Sequence, residues 1–215
     1  MKQFDFYEFA GLVVPGTTVL VAVASTFPAA ASAFAGTSLG FGEAAVGAVL
    51  AYGVGHVVQA LGNLLEIAWW RLHGGMPSDW VGRGTAHFLN AKQLEVLPSK
   101  IAEHLGLEGV ALDGSPRWHG ITRQIYAAVA AAGRAGRVDI FNGNYGLCRG
   151  LASAFFVIAV LVILRLGVSR PSALLLTAVA FVLAGWRAHR FGVHYARELY
   201  VQFLQLKDPG ETTRV

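Results

Sequence analysis

Cysteine is all but absent from this chain. Cys148 is the sole thiol, which excludes an internal disulfide and leaves too few thiolates for a cysteine-held metal; it reads as a buried, inert thiol. Charge is also scarce: 14% of residues are charged against 54% hydrophobic, and the mean hydropathy is +0.51, all displaced from a soluble domain in the same direction. There is no GxxxxGK[ST] loop, no HExxH, no long repeat and no low-complexity tail. Nucleotide hydrolysis therefore has no sequence support, and neither a metal nor a cofactor is expected. The first apolar stretch follows MKQFDFYEFAG, which lacks the basic segment of a signal peptide, so it is expected to be retained.

What the chain does have is four apolar stretches, at 9–35, 44–70, 147–168 and 171–193. The expected fold is an all-α, polytopic membrane protein with about four transmembrane helices, a small helical cytoplasmic insert and an extended C-terminal helix. The corresponding segments are 1–70 (interfacial N-terminus and first two spans), 71–143 (insert), 144–207 (last two spans and extension) and 208–215 (tail). Asp5, Glu8, Phe4, Phe6, Tyr7 and Phe9 suit the bilayer surface. Pro15 and Pro28 predict a kinked first helix, or one starting at Pro15, and require neighbours that satisfy the freed carbonyls. The apolar cores at 151–164 and 173–186 are only about 14 residues each, short of the roughly 20 that cross a bilayer. Snorkelling of Arg149, Arg165, Arg170 and Arg187 extends them into full spans joined by a hairpin at 167–171; a re-entrant hairpin is the alternative.

The formal charge of +4 reflects topology better than nucleic-acid binding. Eight Lys/Arg lie between Arg71 and Ile140 and five from Arg187 onward, but none at 36–42. By the positive-inside rule the insert and both termini are cytoplasmic, with the chain in a bacterial inner membrane; Arg165 and Arg170 run against the rule without reversing it. The insert is too short and polar for a large core of its own. Within it, 98–105 and 116–132 read as helices, the second with Ser115 as N-cap and Pro116 in its first turn, and 106–114 reads as a loop.

Polar residues punctuate two spans at helical spacing. His56, Gln59, Asn63 and Glu66 recur at i, i+3, i+7 and i+10 in the second span and share one face, which must meet the bundle, a subunit interface or water. Arg187, Arg190, His194 and Arg197 repeat the period in the fourth, forming a basic face for anionic headgroups, a partner, or Glu66 through Arg187 or Arg190. The run FNGNYGLCRG at 141–150 leads into the third span, with Asn142 or Asn144 as cap and Arg149 in reach of phosphate, Glu66 or Glu198. Gly53, Gly55 and Gly62, with Gly146 and Gly150, offer close helix packing. Phe191, Tyr195, Leu199, Tyr200 and Phe203 carry an apolar face past the fourth span, for the insert or a neighbouring subunit.

The aromatic start at 7–11 with PGTT after it, GHVVQALGNLLE, FNGNYGLCRG and RELYVQFL together resemble uncharacterised bacterial four-helix inner-membrane proteins. Such proteins resemble accessory or effector membrane subunits of antiphage systems, including CRISPR-associated ones. The resemblance implies a context, with no catalytic residue to transfer. The expected function is a homo-oligomeric, channel-like or membrane-anchoring subunit, its partners being the anionic bilayer, further copies and a cytoplasmic protein. The enzymatic alternatives are a HEPN-like ribonuclease using Arg187 and His194, or a lipid-directed enzyme using His56 and Glu66 as acid and base.

Overall fold

A computed structural model describes residues 6–29, 41–115 and 117–207. The expected roles of Phe4 and Asp5, residues 36–40 of the connection at 36–42, Pro116 and the tail at 208–215 lie outside the described residues. The described chain is helical: α1 (Phe6–Thr26), α2 (Phe41–Leu72), α3 (Pro77–Gly82), α4 (Ala91–Leu105), α5 (Trp118–Ala131), α6 (Gly136–Leu166) and α7 (Pro171–Leu204). Four of these helices, α1, α2, α6 and α7, are long and apolar enough to cross a membrane. At 31 and 34 residues, α6 and α7 extend about 46 and 51 Å, well beyond the ~30 Å of a hydrocarbon core, so their short apolar runs sit inside longer helices.

Several boundaries differ from the sequence expectation. α1 runs unbroken through Pro15 and does not start there. α4 begins at Ala91, not Pro98, because Asn90 and Gln93 form a reciprocal cap: Asn90 Oδ1 accepts from the Gln93 N–H at 2.8 Å, and Gln93 Oε1 accepts from the Asn90 N–H at 2.9 Å. Gly106, at φ +66°, closes it. α6 begins at Gly136, so Asn142 and Asn144 lie within the helix and cap nothing.

The chain divides into two compact units, one comprising 1–68 and 143–190, the other 69–142 and 191–215. In the second, the insert draws part of its core from the end of α7. Leu199, Tyr200 and Phe203 of α7, fully buried, complete a core with Val81, Leu97, Ile101, Trp118, Ile125, Val129 and Val138. Each such side chain contributes about 1.5–3 kcal/mol by leaving water. Polar contacts fix the register: Thr122 Oγ1 and Tyr200 Oη are 2.8 Å apart, Trp118 Nε1 donates to the Ser78 carbonyl at 2.7 Å, and Arg134 donates from Nε to Gln202 Oε1 at 2.8 Å and from Nη1 to the Gln205 carbonyl at 2.6 Å. Arg137 pairs with Glu198 at 3.6 Å, and Tyr126 Oη donates to Asp139 Oδ1 at 2.8 Å.

In the first unit, glycine decides how closely helices approach. A Cβ on Gly55 of α2 would lie 2.7 Å from the Leu12 carbonyl carbon of α1, and one on Gly16 would lie 2.8 Å from the Gly55 nitrogen. Backbone therefore touches backbone, as small residues permit between membrane helices. A Cβ on Gly53 or Gly146, both also expected at packing faces, would meet no described neighbour within 4 Å. Gly55→Ala is accordingly expected to destabilise by about 2 kcal/mol or more through overpacking, whereas Gly53→Ala should be neutral or slightly stabilising. Thermal unfolding midpoints of the two purified variants in detergent check this; equal midpoints would refute the α1–α2 contact.

Candidate functional site

Proline supplies the starting point. Pro15 has no N–H, so the Gly11 carbonyl one turn earlier loses its helical donor. Gln59 of α2 replaces it: Nε2 donates to the Gly11 carbonyl at 2.8 Å and to the Gly146 carbonyl of α6 at 2.9 Å. One carboxamide thus joins three helices. The space is tight, since a Cβ on Gly150 would lie 2.6 Å from Gln59 Nε2 and 2.7 Å from Pro15 Cγ, and one on Gly62 would lie 2.9 Å from Ser153 Oγ.

The other end of Gln59 faces a cation. Its Oε1 accepts from Arg149 Nη2 at 3.1 Å and Nε at 3.3 Å, while Arg149 Nη1 pairs with Glu66 Oε2. Tyr145 Oη donates to Glu66 Oε1 at 2.7 Å, and its ring lies 5.7 Å from the Arg149 guanidinium carbon. The Arg149 and Glu66 side chains are only 24% and 16% exposed. The pair is formally neutral and both carboxylate oxygens have donors, which is the condition under which charge is tolerated away from water.

This arrangement splits the expected stripe on α2. Gln59 and Glu66 turn into the bundle; His56 and Asn63, with Tyr52, are exposed along its edge, and the Tyr52 and His56 rings meet edge-on at 4.7 Å. Glu66 takes Arg149 and Tyr145 as partners and not Arg187 or Arg190. His56 and Glu66 stand ten residues, about 15 Å, apart along one helix, too far to act on one substrate proton.

Arg190 lies over Trp186 at 5.2 Å, the His194 ring stacks on Phe141 at 5.5 Å, Arg197 is exposed, and Arg187 is exposed at the end of a groove that includes Cys148. Among the described residues no three His, Cys, Asp or Glu side chains gather as a metal site. Sequence reasoning missed the Gln59 bond to Gly11 and the role of Tyr145; the signal for the first was Pro15, which demanded a donor from elsewhere.

Helical architecture and an internally satisfied polar cluster define a multi-pass α-helical membrane protein. Comparison with family models, curated proteins and solved structures finds no match to this chain.

Proposed function

We propose that this chain is an anchoring subunit of a bacterial inner-membrane assembly, built from several copies of itself and carrying a cytoplasmic docking module. The observation that carries the reading is the exposed edge of α2. Tyr52, His56 and Asn63 face outward from a helix apolar enough to span, with Val57 and Leu64 beside them 72% and 64% exposed. Hydrocarbon offers an imidazole or carboxamide no hydrogen bond, so these groups call for a polar surface, and a second copy of the same edge supplies one. The concentration of Lys/Arg between Arg71 and Ile140 supports a cytoplasmic insert, with both termini on that side. The resemblance to accessory subunits of antiphage systems supports an effector or accessory role beside a cytoplasmic partner.

The test is the mass of the purified particle in detergent. A multimer that dissociates in the His56→Leu/Asn63→Leu variant supports the reading, and a monomeric wild type overturns it. The channel-like form of the assembly draws on the same edge, which would line water if the copies closed into a ring. Ion flux through liposomes that falls in this variant would favour it, and an absence of flux in the wild type would leave the anchor alone.

A further inference from the structure

The apolar groove between α6 and α7 has a chemistry of its own. It is an open cavity of about 460 Å³ lined on α6 by Cys148, Leu151 and Phe155 and on α7 by Ala180, Leu183, Ala184, Trp186 and Arg187. The spacing explains its shape. Residues 148, 151 and 155 stand at i, i+3 and i+7 on α6, and 180, 184 and 187 follow i, i+4 and i+7 on α7, so each helix contributes one stripe about 10 Å long. Ala180 and Ala184 are too small to fill the space between the stripes.

The groove is apolar along its length and cationic at one end only. Arg187 is exposed there, and Arg190, also exposed, is held over Trp186 one turn further along α7. Arginine beside tryptophan at the end of an apolar span is the composition of the headgroup level, where the ring sits at the interface and the guanidinium meets phosphate. We propose that this groove is a binding site for one anionic phospholipid, an acyl chain lying on Leu151, Phe155 and Ala184 and the phosphate meeting Arg187 and Arg190. The inference rests on the bilayer reading of the four helices, and is independent of whether copies of the chain associate.

Two measurements test it. The first needs no variant: because Cys148 is the sole cysteine and lines the groove, an uncharged maleimide reports occupancy directly. Alkylation of full-length protein in nanodiscs should be slower in an equal mixture of phosphatidylglycerol and phosphatidylcholine than in phosphatidylcholine alone; equal rates overturn the proposal. The second is native mass measurement of lipid retained from the same mixture. Arg187→Gln should lower phosphatidylglycerol retention about fivefold, the effect of losing one basic contact near the surface, while Arg165→Gln, elsewhere on α6, should leave it unchanged. Ala184→Phe should lower retention of both lipids by filling the groove. If Ala184→Phe leaves phosphatidylglycerol bound, the charges act at the membrane surface without the groove and the site is refuted. Alkylation that depends on protein concentration and not on lipid would assign the groove to a second copy of the chain and refute it equally. Should a variant fail to fold, the wild-type alkylation comparison still decides.

Discussion

Arg149→Met is expected to destabilise the membrane unit by about 3 kcal/mol, the lower end for breaking a buried ion pair by removing one partner. The variant leaves the Glu66 carboxylate with Tyr145 as its remaining donor and strips Gln59 Oε1 of two hydrogen bonds. Arg149→Lys should recover only part of the loss, because an ammonium lacks the planar fork that reaches Gln59 and Glu66 together. Adding Glu66→Gln to Arg149→Met should restore much of the stability by removing the stranded charge, so the double variant should be more stable than the single one. Unfolding of the wild type, Arg149→Met, Glu66→Gln and the double variant in mixed micelles by titration with sodium dodecyl sulfate measures the cycle. Additive losses would show that Arg149 and Glu66 do not interact.

Gln59→Leu carries the second large effect, about 2–3 kcal/mol, as it leaves the Gly11 carbonyl on α1 without a donor and takes the Oε1 acceptor from Arg149. The decisive feature is its dependence on residue 15. Pro15→Ala returns an N–H to α1 and lets the Gly11 carbonyl be satisfied within its own helix, so Gln59→Leu should cost less in the Pro15→Ala background than in the wild type. Alanine also leaves space where Pro15 was fully buried, so the difference between backgrounds, not the single values, is the readout. Equal losses would mean that Gln59 does not serve the carbonyl freed by Pro15.

How much of this was legible in the sequence depends on the kind of information. Four spans follow from long apolar runs, whose length needs no tertiary contact to interpret. The stripe from His56 to Glu66 was legible as a helical face, but its division was not. Gln59 and Asn63 are both carboxamides on adjoining turns, and only the positions of Gly11, Gly146 and Arg149 determine that the first turns inward. The same holds for glycine: Gly53 and Gly55 are equivalent in composition, yet 200° of helix separates their directions and only one meets α1. The position of Arg149 in the first turns of a span puts it in reach of Glu66, and it is Arg149, with Tyr145, that Glu66 holds in place of Arg187 or Arg190. The insert's own residues are too polar for a large core, and the apolar side chains that complete it lie far downstream.

That separation bears on biosynthesis. The helices of the insert end at Ala131, while Leu199, Tyr200 and Phe203 close their core. Roughly 70 residues must still be polymerised in between, and at about 5–20 residues per second the ribosome takes roughly 4–14 s. Throughout that interval Leu97, Ile101, Ile125 and Val129 have no permanent cover, and α6 and the first half of α7 must be made before it arrives. Completion of the last membrane helix is thus also the moment at which the insert can mature, so a chain stalled within α7 would present an unfinished apolar surface to chaperones and proteases.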